Sequence, residues 1–189
     1  MSMKNGIITL VIVTLPIAAW GFYKPMRVLA PEFNGLTCVN EQICLDDISK
    51  RETAELLYLE SASLTNNAIG YFYNNPRAIF CTTEECYESF GFQPPSVAHA
   101  IGTSGVVISP RGWSNTKITH EFVHHIQAER IGVISMLFKP DWLIEGMAYY
   151  ISSDNMHDVP QRYIDAKKRF EKWYIELGNE QLWEAAKEL

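Results

Sequence analysis

The sequence predicts one α+β domain, with short strands in its middle third and helices towards its C-terminus. The chain has 189 residues, 47% of them hydrophobic, which is enough for one buried core and too few for two full domains. Residues 68–107 carry short aromatic and β-branched runs that are broken by glycine and proline. Residues 115–189 carry apolar side chains at helical spacing instead.

The N-terminal segment, residues 1–23, contains an apolar run without a charged side chain at residues 5–23. A helix of this length nearly spans the roughly 30 Å hydrocarbon layer of a bilayer. Trp20, Phe22 and Tyr23 make a poor signal-peptidase site and a plausible interfacial aromatic belt. We therefore expect a retained signal anchor, with a cleaved signal peptide as the alternative, and the membrane as a partner through this helix.

Residues 24–50 are predicted to be a linker and irregular lead-in segment, and residues 51–189 the folded domain. The segment contains Cys38 and Cys44, and Cys81 and Cys86 form a second close pair. Two local disulfides, 38–44 and 81–86, are the simplest interpretation and indicate an oxidising compartment outside the cytoplasm, periplasmic or at the cell surface. A four-thiolate zinc site and free buried thiols stay open as alternatives.

The net charge of −6 and the lack of a basic cluster argue against nucleic acid as a partner, because phosphate binding needs a basic surface.

The first predicted helix opens at residues 47–52, runs through Ala62 and ends near Asn66 and Asn67. Four strand-like segments follow, and Thr82 or Thr83 is expected to cap a short helix between the second and the third. The predicted strands are residues 69–73, 77–81, 98–102 and 105–109.

Three longer helical patterns follow the strands. The first covers residues 115–130, with Ser114 or Asn115 as its N-cap and Gly132 as its stop. Asp141 is expected to cap the second helix, and Pro160 to begin a third that Gly178 ends. Residues 180–189 are predicted to form a short final helix.

The first of these helices carries the sequence His-Glu-x-x-His. His120 and His124 are four residues apart, so both imidazoles project from one helical face and can bind one metal ion. Glu121 lies about 100° around the helix from His120, within reach of a water at that metal. Glu145, on the second helix, can supply a third ligand. Chance alone produces this motif in roughly 0.01 of shuffled chains of this composition.

The two motifs, His120-Glu121-x-x-His124 and Trp142-Leu143-x-Glu145-Gly146-x-Ala148, resemble those of the gluzincin branch of zincin metallopeptidases. The second motif is similar to a run found in membrane aminopeptidase-like enzymes, and the likeness covers about residues 105–152. It implies a zincin-like fold, in which a small mixed sheet with an edge substrate strand packs on two metal-bearing helices. By the same resemblance, residues 105–109 would be the edge strand that binds peptide backbone.

The resemblance also implies one Zn²⁺ ion bound by His120, His124 and Glu145, with a fourth position open for water. Glu121 would act as the general base. Tyr149 and His157 are candidate donors to an oxyanion, and Tyr149 stands where thermolysin-like gluzincins carry an aspartate.

Other polar residues near the motif receive lesser roles. Asp141 is a candidate for supporting a ligand, and His125 points away from the metal face, which suits a neighbouring surface or supporting position. His99 is interpreted as structural.

These features together predict zinc-dependent hydrolysis of peptide bonds in a peptide or protein substrate. The chain lacks the additional domains of aminopeptidases and a recognisable motif for gripping a substrate N-terminus, which favours an endopeptidase. Two other hypotheses stay open: a catalytically silent zincin-fold binding or regulatory protein, and a zinc amide hydrolase that acts on a non-protein substrate.

Overall fold

Five short strands form one mixed sheet in the computed structural model, which describes residues 24–157 and 159–189. The strands are β1 (Thr37–Cys38), β2 (Ile43–Leu45), β3 (Ala78–Phe80), β4 (Ala98–Ala100) and β5 (Val106–Ile108). Their order across the sheet is β1-β2-β3-β5-β4. β2, β3 and β5 are parallel, and β1 and β4 run antiparallel to their neighbours at the two edges. The predicted α+β class is therefore confirmed.

Helices precede, interrupt and follow the sheet. They are α1 (Lys24–Leu29), α2 (Arg51–Ile69), α3 (Glu84–Ser89), α4 (Asn115–Ile131), α5 (Val133–Met136), α6 (Asp141–Ile151), α7 (Gln161–Leu177) and α8 (Leu182–Glu188). Short 3-10 turns lie at Pro31–Asn34, Ile48–Lys50, Pro110–Gly112 and Asn179–Gln181. The long predicted helices are confirmed, and Thr83 caps α3 by accepting a hydrogen bond from the backbone N–H of Cys86.

One face of the sheet packs on α2 and α4. Alternate strand residues such as Phe80 and Ile108 point into this layer, where they meet Tyr58 of α2 and Phe122 of α4. The rings of Tyr58 and Phe122 pack edge to face with centroids 5.2 Å apart. Burying a side chain of this size contributes about 1.5–3 kcal/mol, so this layer holds α4 firmly against the strands.

The opposite face of the sheet is covered by α3 and by Val28 of α1. A second helical core, with Met147 and Phe170 near its centre, joins α4, α6, α7 and α8. α4 therefore contributes to both the sheet layer and the helical layer, and its remaining face is left for the polar residues of the motif.

The segment predicted to be a linker, residues 24–50, contains α1, β1 and the buried strand β2. Cys38 pairs with Cys44 across the β1–β2 hairpin, and Cys81 pairs with Cys86 between β3 and α3. The local disulfide pairing is confirmed. The alternatives of a four-thiolate zinc site and of free thiols are wrong, because all four cysteines are oxidised.

The strand predicted at residues 69–73 is wrong. α2 continues to Ile69, whose side chain is buried in the helical core, and ends at Gly70 with a positive φ of 97°. The backbone N–H groups of Tyr73 and Asn74 then donate to the carboxylate of Glu129 on α4. The backbone N–H groups that would pair with a neighbouring strand are therefore already bound to the Glu129 side chain.

The edge strand is not the predicted one. β5, which contains most of residues 105–109, lies between β3 and β4 and is fully buried. The exposed edge on the side of α4 is β4 instead. A hairpin does not indicate from its own sequence which strand lies outside, because that depends on the non-local parallel pairing of β5 with β3.

The expectation of a transmembrane anchor and of a membrane partner is corrected. Within residues 24–157 and 159–189, no helix is both long and apolar enough to cross a bilayer. The run at residues 5–23, on which that expectation was based, lies outside the described residues.

Candidate metal centre

α4 presents the two motif histidines on its one polar face. The hydroxyl of Ser114 caps the helix by accepting from the backbone N–H of Lys117, and Gly132, with a φ of 95°, follows its last residue. The back of the helix is fixed by Phe122, which packs edge to face on Phe72 and Tyr58. His120 and His124 therefore project from a helix that is held along its whole length.

α6 brings Glu145 to the same point. Leu143 and Met147 are fully buried in the helical core, which leaves the side of α6 that carries Glu145 facing α4. The prediction that Asp141 caps this helix is wrong. Pro140 occupies the N-cap position without a side-chain bond, and Asp141 is an exposed first-turn residue. Asp141 lines a cavity with Arg162 and Asp165 of α7 that contains none of the three candidate ligands.

The candidate ligand atoms of His120, His124 and Glu145 converge within 4.8 Å of one another. The two Nε2 atoms are 3.1 Å apart, and the Glu145 oxygens lie 3.5 Å from Nε2 of His120 and 3.6 Å from Nε2 of His124. Ligands of a tetrahedral zinc ion with bonds of 2.0–2.1 Å are separated by about 3.4 Å. The two distances to Glu145 join Oε2 to His120 and Oε1 to His124, and all three distances lie close to that value. The three side chains could therefore hold one metal ion.

No protein-family model, curated protein or solved structure gives a significant match to the chain. The chemistry of the centre is therefore inferred from its own side chains.

Gln127 supports the centre through a hydrogen bond with His124. This role was not predicted from the sequence. The amide oxygen of Gln127 lies 2.8 Å from Nδ1 of His124, and because an amide oxygen only accepts, Nδ1 carries the proton. Nε2 of His124 is then left with the lone pair that a metal requires. The amide nitrogen of Gln127 donates to the carbonyl of Ile144, the residue before Glu145, at 2.9 Å.

Glu121 is buried beside the ligands, with 8% of its surface exposed. One carboxylate oxygen accepts a hydrogen bond of 2.6 Å from the backbone N–H of Ala100 in β4. Burial raises the pKa of Glu121; the electrostatic interaction with the His124 ring and the Ala100 hydrogen bond oppose this shift, and Glu145 adds to it. A raised pKa makes a carboxylate a stronger base, which suits a residue that accepts a proton.

The pKa of Glu145 shifts in the opposite direction. Burial favours its neutral form, but the hydrogen bond from His120 and the electrostatic interaction with both histidine rings outweigh burial and lower its pKa. Two carboxylates that differ in this way suit two roles, an ionised ligand and a proton acceptor.

Tyr149 lies next to the ligands, one turn after Glu145. Its ring packs edge to face on His120 with centroids 4.6 Å apart and contacts the ring of Tyr163 on α7. Burial, followed by the negative charge of Glu145, raises the pKa of Tyr149 to about 12, so its hydroxyl remains a donor at neutral pH.

His157 is not brought to the centre. It is exposed in the segment between α6 and α7, and its backbone N–H, rather than its ring, donates to the side chain of Asn155. His125 does point away from the ligands, but it is buried rather than at the surface. Its Nε2 lies 3.1 Å from the carbonyl of Asn74, so it fastens the segment after α2.

His99 borders the centre, although the sequence indicated only a structural role. It is an exposed β4 residue whose ring stacks on Phe92 at a centroid distance of 4.5 Å, and it lines the cavities on both sides of the ligands. Alternation along β4, with Ala98 and Ala100 turned to the core, is the signal that could have identified it.

Lys117 and Asp154 form an ion pair of 2.6 Å beside the centre. Asp154 follows α6 and is 5% exposed, and Lys117 is one turn before His120 on α4. Burial opposes ionisation of Asp154, but the Lys117 bond outweighs it and lowers the pKa of the carboxyl. The pair thereby joins the end of α6 to the start of α4.

Two cavities meet at the ligands and share Ala98, His99, His120 and Glu121. The first has a volume of about 400 Å³ and the second about 540 Å³. Together they form a cleft that runs between β4 and α4. The cleft gives an extended molecule access to the ligands from both sides.

Proposed function

We propose that the protein is a zinc-dependent peptidase with a zincin-like arrangement of one sheet and two metal-bearing helices. The observation that carries the proposal is the convergence of two imidazoles and one carboxylate beside a buried second carboxylate, in a cleft along the edge strand β4. Three protein ligands with nitrogen and oxygen donors are typical of catalytic rather than structural zinc sites.

His120, His124 and Glu145 would hold the ion. When bound, Zn²⁺ supplies a Lewis acid that activates water and polarises a carbonyl group. Glu121 accepts the proton from the attacking water and returns it to the leaving amine, for which its raised pKa is suited. Tyr149, held against His120, is the nearest candidate among the described residues to donate a hydrogen bond to the developing oxyanion.

The edge of β4 supports a peptide as the substrate. The register of β4 on β5 pairs His99 with Val107, and Ile101 and Val97 also bond to the β5 side. The alternation of an antiparallel ladder therefore directs the backbone groups of Ala98 and Ala100 to the outer edge, over the cleft. The N–H of Ala100 is bound to Glu121, so the N–H and carbonyl of Ala98 and the carbonyl of Ala100 are the groups offered to a peptide. A peptide strand added there would lie across the ligands, open at both ends as an endopeptidase requires.

The two disulfides support an extracytoplasmic location, periplasmic or at the cell surface. Both are short-range pairs whose half-cystines Cys44 and Cys81 are fully buried. Disulfides of this structural kind form and persist in oxidising compartments.

The decisive experiment uses the full chain and the Glu121→Gln variant. Zinc content is measured on the purified protein, and cleavage of a broad peptide and protein panel is followed by mass spectrometry. We expect about one zinc per chain in both proteins and a loss of turnover of about 10²–10⁴-fold in the variant. Glu171→Gln, an exposed glutamate on α7, is the matched control and should leave both quantities unchanged.

The other outcomes separate the competing hypotheses. Stoichiometric zinc without cleavage of any peptide would reject the peptidase and leave a binding protein. Glu121-dependent hydrolysis of a non-peptide amide alone would indicate the amide hydrolase. A protein that binds no zinc would reject the proposed centre itself.

A further inference from the structure

The loop that joins α2 to β3, residues 70–77, is held in place by side chains of α4 although it contains no helix or strand. The carboxylate of Glu129 accepts hydrogen bonds from the backbone N–H groups of Tyr73 and Asn74, at 2.9 and 2.8 Å. The carbonyl of Asn74 accepts a further bond of 3.1 Å from Nε2 of the buried His125. The loop backbone is therefore fixed before a ligand arrives, which removes the cost of ordering it on binding.

The side chains of this loop are turned towards solvent. Tyr73 is 63% exposed, and the guanidinium of Arg130 lies 3.7 Å from the centroid of its ring and supports one face of it. Asn74 and Asn75, the next residues along the chain, are exposed as well. A fixed aromatic ring beside amide groups is typical of recognition surfaces, because the ring offers apolar area and an amide both donates and accepts.

These side chains line a cavity of about 560 Å³, called here the loop cavity. Gln42, in the β1–β2 hairpin, and Ser104, in the β4–β5 turn, contribute to its wall from the other side. Its volume lies within the range of about 300–1,000 Å³ that is usual for small-molecule sites. None of the three candidate metal ligands lines it, so it is separate from the metal centre.

The loop cavity presents polar groups that the protein does not use. Within residues 24–157 and 159–189, four of its side chains make no hydrogen bond to the protein: those of Gln42, Asn74, Asn75 and Ser104. The guanidinium of Arg77, by contrast, donates to the backbone carbonyls of Leu29 and Glu41, at 2.7 and 3.0 Å. The groups left for a ligand are therefore mainly neutral amides and a hydroxyl, with the carboxylate of Glu41 as a further acceptor.

These groups distinguish between classes of ligand. A peptide strand would need backbone donors from the loop, and those of Tyr73 and Asn74 are already bound to Glu129. An apolar ligand would bury the amides without partners, and an anionic ligand would face the carboxylate of Glu41. A sugar satisfies both kinds of group, because its hydroxyls donate and accept as amides do and its C–H face can pack on an aromatic ring.

We propose that the loop cavity is a carbohydrate-binding site, in which a neutral pyranose unit stacks on Tyr73 and bonds through its hydroxyl groups to Gln42 and Asn75. The site depends neither on the metal nor on the proposed peptidase activity. The β4–β5 turn separates the two sites, since Gly102 lines the metal cleft and Ser104 lines the loop cavity. The protein would thus hold a glycan one turn of chain away from its metal centre.

Saturation-transfer NMR and calorimetric titration of the full chain test the proposal with four neutral probes: glucose, cellotriose, maltotriose and chitotriose. We expect saturable binding of at least one trimer. Tyr73→Ala should weaken that binding about 10-fold or more, because the ring is the apolar platform of the site. Tyr71→Ala is the matched control, since Tyr71 is 73% exposed in the same loop but does not line the cavity, and it should bind as the wild type does.

Asn75→Ala keeps the test decisive if Tyr73→Ala disturbs the loop. Its side chain makes no hydrogen bond within the described residues, so its removal should leave the fold intact and lower sugar affinity about 2–10-fold. Removal of metal with a chelator should leave sugar binding unchanged. Binding of glucose as well as a trimer would identify one pyranose as the ligand, and binding of trimers alone an oligosaccharide chain.

Three results would overturn the carbohydrate site. The first is that none of the four probes binds, and the second is binding that Tyr73→Ala and Asn75→Ala both leave unchanged. The third is sugar binding that chelation abolishes, which would place the sugar at the metal centre. A mixture of unglycosylated peptides is titrated in parallel, and binding of peptide in place of sugar that Tyr73→Ala abolishes would reject carbohydrate in favour of a protein partner.

Discussion

Gln127 does more for the centre than its position after the motif indicates. It is fully buried, and its amide group bonds to His124 through oxygen and to the carbonyl of Ile144 through nitrogen. One side chain therefore sets the tautomer of a ligand on α4 and the position of the helix that carries the ligand Glu145. Groups of this kind govern metal affinity because they orient the ligands before the ion arrives.

Replacing Gln127 with methionine tests this role. Methionine has a similar volume, so the helices stay packed, but it cannot accept the proton from Nδ1 of His124. We expect zinc affinity to fall about 10–100-fold, measured by competition with a chromogenic chelator. Gln181→Met, at an exposed position, is the control and should bind zinc as the wild type does. Equal affinities in the two variants would show that Gln127 is only a packing residue.

At the scale of the elements, the pairing of α6 with α7 determines where Glu145 lies. A Cβ atom on Gly146 would collide with the backbone carbonyl of Ala166 on α7. Glycine is therefore required because the two helices approach closely at the residue next to the ligand. The helix that makes this contact is α7 rather than the other ligand-bearing helix, α4.

Gly146→Ala should destabilise the protein although alanine favours helices by about 1 kcal/mol over glycine. The clash with rigid backbone outweighs that gain, and we expect a net loss of about 1–3 kcal/mol in the free energy of unfolding. Urea denaturation followed by circular dichroism measures it. Because the clash displaces α6, zinc affinity should fall as well.

Gly178→Ala is the matched control for this substitution. No atom lies within 4 Å of a Cβ at that position, so only the strain of a positive φ of 81° remains. Gly178→Ala should lower the free energy of unfolding but leave zinc affinity unchanged. A Gly146→Ala protein as stable as the wild type, with unchanged zinc affinity, would mean that the helices separate at little cost.

At the scale of the whole molecule, the two disulfides hold the part of the sheet that the centre does not touch. Cys38–Cys44 closes the β1–β2 hairpin, and Cys81–Cys86 joins the end of β3 to α3. β2 and β3 are parallel neighbours and β3 pairs with β5, which in turn holds β4. The cross-links thus stabilise a sheet whose far edge forms one wall of the cleft.

Reduction should lower the stability of the fold. Closing loops with sequence separations of 6 and 5 removes chain entropy worth about 2 kcal/mol for each bond at 25 °C. We expect Cys38→Ala/Cys44→Ala and Cys81→Ala/Cys86→Ala each to lose about that amount in urea denaturation. Thiol titration of the unfolded wild type should detect four thiols after reduction and none before it. Four free thiols without reductant would refute the pairing.

The predictions that succeeded depend on short-range chemistry. A spacing of four residues places His120 and His124 on one helical face wherever the helix lies, and close cysteine pairs such as Cys81 and Cys86 need only a local turn. Ser114 caps α4 through a bond that spans three residues. Each of these features is decided within a few residues along the chain, so a single sequence is sufficient to indicate it.

The predictions that failed depend on partners distant in sequence. The role of β4 as the edge strand depends on β5 pairing with β3, and β2 was missed because its short buried run has no periodicity until its neighbours are known. Gln127 acquires its contacts with both helices only where α4 meets α6. The sequence by itself therefore determined the candidate donor atoms of the centre, the helices that carry them and the disulfide pairs. Only the tertiary structure decided which strand edge and which supporting amide surround the donors, because long-range packing rather than local spacing sets those distances.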